Sequence, residues 1–373
     1  MRKKILVAIA TLISLTSWAV TTVESQPGKL ESLLTDHSIT SLKVTGTIDA
    51  RDFKFIADNL LALSEIDLSE VTIAAYCNEE TATFGAENNF AAASIPCTSF
   101  FGKPITSVVL PASVKSIGFA AFAGCDQLTT IAFPASLDSI SGYAFSGSGL
   151  TSVELPASVK TVGEGTFFYA AQLETTNLPD SLTTVPAFTF AGAEALVAES
   201  IVPATATEMG DFSFYNACAM PNFTIPKSIN RIGTKAMAGM TGLDTIKAHS
   251  DAVPALSDSV WAGIDQPSVK LDLTNMALAE DFAHAAQWEH FHILKNYLLG
   301  DVNGDGDLDV ADVTLLISYI LGENPNPFHL ELANIIDDGV IDVTDVSALI
   351  NMILSGDQII IRRSPVTNHS PLR

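Results

Sequence analysis

Between Ile105 and Gly242 the chain repeats one short pattern six times, and this repetition limits the possible folds more than any other feature. One series of residues is Pro111, Pro134, Pro156, Pro179, Pro203 and Pro226, in steps of 23, 22, 23, 24 and 23. A second series, Phe122, Phe145, Phe167, Phe190, Phe214 and Met237, keeps the same steps. A unit this short cannot bury an apolar face alone, so the sequence predicts a solenoid whose neighbouring units share one core.

The third copy of the unit shows what each position is expected to do. Leu150–Leu155 has apolar residues at the spacing of a short strand, and Pro156 ends that strand because it has no N–H for a sheet ladder. We expect Ser158 to hydrogen-bond local backbone and hold a turn. Gly163 is expected to supply permissive backbone at the next bend, and Phe167 to fill the interior of the coil.

The unit follows the pattern L-x-x-[IV]-x-[IL]-P-x-S-[VL]-x-x-I-G-x-x-A-F-x-x-C, which Ile105–Gln127 matches almost letter for letter. It resembles the BspA-like leucine-rich repeat of bacterial cell-surface proteins. The resemblance implies an α/β leucine-rich repeat solenoid of short parallel strands over residues 102–250, between an N-terminal cap at 24–101 and a C-terminal cap at 251–298. Leu196–Ala219 departs most from the pattern, with an extra residue and no clean strand.

The two caps have their own expected elements. In the first, Leu42–Val44 and Ile66–Leu68 read as strand fragments, and Asp49–Leu63 has apolar residues at helical spacing. In the second, Ala277–Trp288 reads as a helix and Phe291–Ile293 as a closing strand. Atypical terminal units of this kind cover the open ends of a solenoid core.

The first residues of the chain predict export. Residues 1–19 combine Arg2–Lys4, an apolar run and a small-x-small site near Ala19, which is typical of a secretory signal peptide. No later stretch is apolar and long enough for a transmembrane segment. We therefore expect a secreted protein, which could remain associated with the cell surface. In an exported chain a Cys77–Cys97 disulfide stays open as one of two alternatives.

From Gly300 the composition changes, because residues 300–361 carry twelve acidic residues and no Lys or Arg. Within this segment 301–312 has the spacing of a calcium loop, with oxygen ligands at positions 1, 3 and 5 and a glycine at position 6. Position 7 offers a carbonyl, position 9 binds through water, and position 12 completes the shell. The predicted Ca²⁺ ligands are Asp301, Asn303, Asp305, Asp307, Asp309 and Asp312.

A second loop follows at a step of 33, and an apolar helix follows each loop. Its equivalent positions are Asn334, Ile336, Asp338, Val340, Asp342 and Asp345. Ile336 offers no side-chain oxygen, so we expect a weaker second site. Two such units without an entering helix resemble a type I dockerin over residues 299–357. That resemblance implies a small all-α calcium-binding module that docks onto a cohesin domain. Residues 358–373 are expected to be a disordered tail.

The residues favour a non-catalytic binding or adhesion protein over an enzyme. No pair of acids recurs at glycosidase spacing on the predicted strand face, and no nucleophile–histidine arrangement is present. A net charge of -23 disfavours nucleic acid. Small polar residues on the strand face, such as Thr130 and Ser152, are the expected contacts for a protein partner. The alternative is an accessory subunit of a polysaccharide-degrading complex, because dockerins usually accompany hydrolases.

Overall fold

The predicted repeats form short strands that stack in parallel, and most repeats add a second strand after the proline turn. The computed structural model describes residues 20–78, 88–273, 278–305 and 307–363. The chain divides into two units. The first contains residues up to Leu182 together with Pro186–Leu196, and the second contains Thr183–Val185 and the residues from Val197 onward. The expected signal peptide at 1–19 lies outside the described residues.

In the part of the first unit that the structure describes there are two helices and twelve strands. The helices are α1 (Leu30–Leu33) and α2 (Ala50–Asn59). The strands are β1 (Thr21–Ser25), β2 (Ser41–Ile48), β3 (Glu65–Ile73), β4 (Tyr76–Cys77), β5 (Asn89–Phe90), β6 (Ser94–Ile95), β7 (Ser107–Val109), β8 (Ser116–Ile117), β9 (Ser139–Ile140), β10 (Ser152–Val153), β11 (Thr161–Val162) and β12 (Thr175–Thr176).

These strands build parallel sheets in which each repeat pairs with the next. The order β1-β2-β3-β7 forms one sheet, β10-β12 a second, and β6-β8-β9-β11 a third that runs along the turn after each proline. The register of the third sheet places Ile95, Ile117 and Ile140 beside one another. The pair β4-β5 is antiparallel and flanks residues 79–87, which are not among the described residues.

A column of stacked phenylalanine rings fills the interior of the first unit. Phe100, Phe122, Phe145, Phe167 and Phe190 are all fully buried. Successive ring centroids are 5.0, 5.3, 5.9 and 5.8 Å apart, and the planes of successive rings differ by no more than 16°. The prediction that one aromatic side chain per repeat fills the coil is confirmed, and Phe100 extends the series by one period.

The serine after the proline has a different role from the one predicted in the repeats of Ser136, Ser158 and Ser181. The hydroxyl of Ser158 donates to the carbonyl of Leu137 at 2.6 Å, 21 residues back in the chain, instead of to its own turn. Ser136 donates to Val114 O at 2.6 Å and Ser181 to Val159 O at 2.5 Å in the same way. These hydroxyls therefore link neighbouring repeats through hydrogen bonds. Such bonds stabilise the stacking of the repeats, which hydrogen bonds within a single turn cannot do.

The role predicted for Gly163 is also wrong. A Cβ built on Gly163 would lie 2.2 Å from Gly142 N, and one on Gly118 would lie 2.5 Å from Cys97 N. At Gly118 and Gly163 a side chain would collide with the backbone of the preceding repeat, which explains the glycine in these two repeats. The positive φ angles occur elsewhere in the repeat, two residues before the core aromatic (Tyr143, φ 56°) and two residues after it (Gly147, φ 62°).

The N-terminal cap contains the predicted strands and helix. The two strand fragments lie within β2 and β3, and α2 begins with a capping box formed by Asp49 and Asp52. Asp52 is buried, and its carboxylate also accepts from Gly28 N at 2.7 Å and Leu30 N at 2.8 Å, so it joins α2 to the chain before α1. Both Cys77, which is exposed, and Cys97, which is buried, are thiols in this structure.

In its described residues, the second unit contains ten strands, three α-helices and two 3₁₀ turns at 266–268 and 330–332. The helices are α3 (Ala279–His284), α4 (Val310–Ile320) and α5 (Val343–Ser355). The strands are β13 (Thr184–Val185), β14 (Glu208–Met209), β15 (Asn222–Ile225), β16 (Arg231–Ile232), β17 (Thr245–Ala248), β18 (Ala255–Leu256), β19 (Lys270–Leu273), β20 (His292–Ile293), β21 (Lys295–Leu298) and β22 (Ile360–Arg363).

The parallel ladder of the second unit runs past residue 250, where the sequence predicts the end of the solenoid. Its sheets have the orders β13-β14-β16-β18 and β15-β17-β19-β20, so Lys270–Leu273 and His292–Ile293 continue the stack. The predicted helix Ala277–Trp288 is shorter than expected. The chain leaves α3 after His284, and Trp288 is buried with its indole N–H donating to Pro254 O at 3.1 Å.

The predicted disorder of residues 358–373 is wrong for the first part of that segment. Ile360–Arg363 forms β22, which pairs in antiparallel fashion with β21 from Leu298 back to Lys295. Ile361 also packs against the apolar cluster between α4 and α5. The pairing joins residues about 65 positions apart, so the apolar run Ile359–Ile361 finds a partner that no local pattern reveals. Residues 364–373 lie outside the described part of the chain.

Candidate functional site

The acidic segment forms two loop-helix units that begin in the same way. Asp309 caps α4 by accepting from Ala311 N at 2.7 Å, and Asp312 reaches back to Asp309 N at 3.1 Å. Asp342 and Asp345 repeat this capping box at α5. A carboxylate at a helix N-terminus is stabilised by free N–H groups and by the helix dipole. The predicted loop-helix repeat with a step of 33 is therefore present.

The first loop gathers acidic side chains around buried positions. Asp301 is 5% exposed and Asp312 is fully buried. Asp301 Oδ1 accepts from Gly304 N at 2.8 Å and Asp305 N at 3.2 Å, while Asp312 Oδ1 accepts from Asn303 N at 3.2 Å. These hydrogen bonds fold the chain around its own carboxylates, as a loop that encloses a cation must be folded.

The electrostatics of this loop indicate that a cation fits. Burial raises the pKa of Asp312, and the negative charges of Asp301 and Asp305 raise it further. Residues 300–361 contain no Lys or Arg that could balance these carboxylates. A divalent ion with oxygen ligands would supply that balance, and Asp301, Asn303, Asp305, Asp307, Asp309 and Asp312 are the residues that would hold it.

Among the described residues, no three Asp, Glu, His or Cys side chains converge as a complete ligand set. Asn303 Nδ2 donates to Asp305 Oδ2 at 2.7 Å, so these two side chains of the first loop lie together. A carboxylate has about four lone-pair sites, so the backbone bonds to Asp301 leave acceptor capacity for an ion. The donor set therefore fits calcium by its chemistry.

The second loop differs from the first in its donors. Asp345 is fully buried and accepts from Ile335 N at 2.7 Å and Ile336 N at 3.1 Å, so its Oδ1 already has two partners. The Ile336 side chain is exposed and offers no oxygen. Asn334 Oδ1, however, is buried without a hydrogen-bond partner. A buried amide oxygen of this kind costs free energy unless a ligand meets it.

The remaining positions of the second loop face solvent. Asp338 Oδ1 accepts from Val340 N at 2.9 Å, and both residues are exposed. The hydroxyl and the backbone N–H of Thr344 lower the pKa of Asp342. The loop thus keeps Asn334, Asp338, Asp342 and Asp345 as oxygen donors, with fewer charges than the first loop, which agrees with the sequence reading of a poorer calcium site.

The two helices carry equivalent apolar residues on their outer sides. Leu316, Val346 and Leu349 are buried in a common core with Val302 and Leu332. Other apolar residues expected on the same helix faces are exposed, and they recur at the step of 33. These exposed pairs are Val310 and Val343, Ile317 and Ile350, and Leu321 and Leu354. Leu321 is 74% and Leu354 80% exposed, so most of the surface of each leucine faces solvent.

The two positions predicted for partner contact on the solenoid lie in different local settings. Ser152 is exposed on β10, and its hydroxyl forms a hydrogen bond of 2.9 Å with Thr175 Oγ1 on β12. Thr130 is also exposed, but it lies between β8 and β9 in a stretch that forms no strand, so its predicted strand position is wrong. Leu128, at the start of this stretch, is fully buried.

The sequence reading missed a second set of aromatic residues, because it placed all repeat aromatics in the core. Phe119 is 49% and Tyr169 55% exposed, and Tyr143 and Phe168 are partly exposed. They flank the buried phenylalanines in the sequence, so residue type alone does not separate the two sets. One signal was available, since Tyr169 stands where the neighbouring repeats have Gly147 and Gly192.

The fold and the loop-helix pair define a class of protein, namely a parallel-strand repeat protein that carries an acidic two-loop module. Family models agree with both parts. The BspA type leucine rich repeat region matches residues 93–216 and 207–274 in six copies, and the dockerin type I domain matches residues 299–354. The chain therefore contains a BspA-type leucine rich repeat region and a type I dockerin domain. Both are binding modules rather than catalytic ones and are typical of extracellular or surface proteins.

Two solved structures of low sequence identity are similar to parts of this chain. A leucine-rich repeat protein from Bacteroides ovatus is 21% identical over 68% of this chain, with a TM-score of 0.47. The chain spans 63% of that protein's length. A leucine rich cell surface protein from Faecalibacterium prausnitzii is 22% identical over 62% of this chain and 80% of its own, with a TM-score of 0.34.

No curated protein matches the chain. Among the described residues, no helix has the length and apolar character needed to cross a bilayer.

Proposed function

We propose that this is a non-catalytic extracellular binding protein, in which the repeats present a partner-binding surface and the dockerin attaches the protein to a cohesin in the presence of calcium. The predicted signal peptide at 1–19 supports the extracellular location. The alternative of an accessory subunit in a polysaccharide-degrading complex shares the same docking step. The two differ in what the repeats bind.

The observation that carries the proposal is the repeated apolar surface of α4 and α5. Leu321 and Leu354 occupy equivalent places in two units with the same capping box, and both are exposed. Exposed apolar side chains that recur at equivalent places on both helices of a small module support an interaction site. Because the surface is duplicated, either helix can serve as the main contact for one cohesin.

Calcium is expected to affect docking through the two loops that precede these helices. The ion supplies positive charge to the carboxylates of the first loop and so stabilises the folded module. The residues then position the helices: Asp309 and Asp312 fix the start of α4 through backbone hydrogen bonds. Removing calcium should therefore weaken docking by loosening the helix starts, without any contact between ion and partner.

The test measures binding of the full chain to a panel of purified type I cohesins by surface plasmon resonance, in calcium and in EGTA. We expect calcium-dependent binding that survives Leu321→Glu or Leu354→Glu alone and falls at least about tenfold in the double variant. Leu61→Glu, at a leucine 68% exposed on the first unit, is the matched control. Undiminished binding by the double variant, or no calcium-dependent binding to any cohesin, would contradict the proposal.

The repeats are proposed to bind a protein partner through the surface that includes Thr130 and Ser152. Both side chains are exposed, small and polar, so they can be covered by a partner at low desolvation cost. The hydrogen bond of Ser152 to Thr175 links two neighbouring repeats across this surface. Support for this assignment comes from exposure and residue type.

A further inference from the structure

Five aromatic residues of the first unit form a continuous chain of contacts outside the core. We call this set the aromatic surface cluster: Phe119, Tyr143, Phe168, Tyr169 and Phe188. Ring centroids are 5.7 Å apart for Phe119 and Tyr143, 5.9 Å for Tyr143 and Phe168, 4.6 Å for Phe168 and Tyr169, and 6.1 Å for Phe168 and Phe188. Single exposed aromatics are ordinary, but a connected group is an exposed patch that requires an explanation.

The backbone at Tyr169 shows that this side chain is retained at a cost to stability. The position two residues after the core aromatic has positive φ in all eight repeats in which it can be compared. Six of the eight have glycine there, and Asn216 is the other exception. The glycines are Gly102, Gly124, Gly147, Gly192, Gly239 and Gly263. A tyrosine at φ 53° is strained where glycine is not, and its ring is mostly exposed, so burial does not offset the strain.

Glycines in the following repeat allow the rings to lie close to the backbone. A Cβ built on Gly165 would lie 2.5 Å from Tyr143 Cε1, and one built on Gly192 would lie 2.9 Å from Tyr169 Cδ1. Any larger residue would push these rings away from the protein. The cluster is therefore a fixed surface, held on one side by backbone and by edge-to-face contacts between rings.

The charge around the cluster restricts the ligand. Tyr143 donates its hydroxyl to Glu164 Oε1 at 3.2 Å, and Glu164 is exposed, so further oxygen lone pairs of its carboxylate remain beside the rings. The whole chain has a net charge of -23, which repels polyanions. Aromatic rings beside a hydrogen-bond acceptor suit a ligand with flat C–H faces and hydroxyl donors, and the net negative charge of the chain disfavours an anionic one.

We propose that the aromatic surface cluster binds an extended, uncharged polysaccharide. Pyranose rings stack their C–H faces on the aromatic side chains, and sugar hydroxyls donate to Glu164. Successive repeats are separated by about the inter-strand distance of 4.8 Å, which is close to the advance of one sugar ring in an extended chain. This site is separate from the surface of Thr130 and Ser152 and does not depend on docking to a cohesin.

The test is affinity electrophoresis of the full chain, with calcium, in gels containing hydroxyethylcellulose, xyloglucan, galactomannan or, as the anionic polymer, polygalacturonate. We expect retardation by at least one of the three neutral polymers and none by polygalacturonate. Tyr169→Gly restores the residue that the other repeats use at this position. It should weaken binding about tenfold, because one stacking ring is lost, and should leave the thermal midpoint unchanged or higher.

Phe101→Ser is the matched control, because Phe101 is 62% exposed at the same repeat position as Phe168 but is separated from it by the repeats of Ala123 and Ser146. It should bind as wild type does. Phe119→Ser provides a second weakened variant.

The inference is overturned if no neutral polymer retards the wild type, or if Tyr169→Gly binds normally. A lower thermal midpoint for Tyr169→Gly would also overturn it, because the ring would then be a structural staple. Calcium-dependent cohesin binding by the same preparations separates these failures from a failure of the docking proposal.

Discussion

Removing one ring from the phenylalanine column should cost more in a regular repeat than in the irregular one. Phe145 is fully buried between Phe122 and Phe167, at centroid distances of 5.3 and 5.9 Å with nearly parallel planes. Phe133 adds an edge contact at 5.6 Å. Truncation of a buried phenylalanine costs about 3–5 kcal/mol, and each ring pair contributes about 0.5–1.5 kcal/mol beyond area burial. Phe145→Ala should therefore lie near the top of that range.

Phe214 is equally buried, and both its repeat and that of Phe145 lack the first strand, but the repeat of Phe214 has one extra residue between Leu196 and Pro203. We expect this irregular backbone to collapse further into a cavity, and collapse lowers the cost. We expect Phe214→Ala to lose at least about 1 kcal/mol less than Phe145→Ala. Phe145→Met is the matched control, because Met237 fills the same position in the last repeat and is fully buried.

Urea unfolding followed by circular dichroism gives the midpoint of each variant. With a slope of about 3 kcal/mol/M, a loss of 4 kcal/mol lowers the midpoint by about 1.3 M. Hydrogen exchange localises the effect, because Phe145 N donates to Thr166 O at 2.9 Å and Phe214 N to Ala236 O at 2.8 Å. Equal losses at Phe145 and Phe214 at unchanged slope would refute the argument that the irregular repeat relaxes further into a cavity.

Three further predictions concern the loops, the strand face and a buried thiol. Asp312→Ala should abolish the tighter of two calcium sites in calorimetry of the full chain, and Asp345→Ala should affect only a site at least about tenfold weaker; two equal sites, or none, would contradict this. Thr130→Lys with Ser152→Lys should weaken protein-ligand capture at an unchanged melting temperature, and unaffected capture would move that site elsewhere. Burial raises the pKa of Cys125 from 9.0 to about 12, so its contribution to stability is complete below pH 9 and is lost as the pH rises towards 12. Cys125→Ala should therefore show a smaller decline in melting temperature above pH 9, and an identical decline would contradict the assignment.

The period of the repeat predicted the core correctly because equivalent positions in successive repeats are buried. Phe122, Phe145 and Phe167 are interior for the same reason, and each is fully buried. The two loop-helix units were equally readable, since loop spacing and helix caps are local properties. The exposure of Leu321 and Leu354 was harder to predict from the sequence. A helical pattern shows which apolar residues share a face, but it does not show how many of them a small core can cover.

Features that depend on the next repeat could not be read from one repeat. Ser158 was expected to bond its own turn, yet Leu137 O lies within its reach only after the coil has closed. Gly163 has no side chain because a Cβ there would collide with Gly142 of the preceding repeat, and its own φ angle is not the reason. The strand Ile360–Arg363 needed a partner far away in the chain. In each case the deciding contact joins residues that are distant in sequence, where local propensity carries no information.

The phenylalanine column also affects how such a chain can change during evolution. In the middle of the column each ring meets another phenylalanine above and below at similar distances, so Phe122, Phe145 and Phe167 have almost interchangeable surroundings. Unequal recombination that adds or removes one whole repeat rejoins equivalent rings and leaves the core intact. The outward positions, including Tyr169, have no such equivalence. A gain or loss of one repeat would therefore rearrange the surface residues in a single step while the interior keeps its packing.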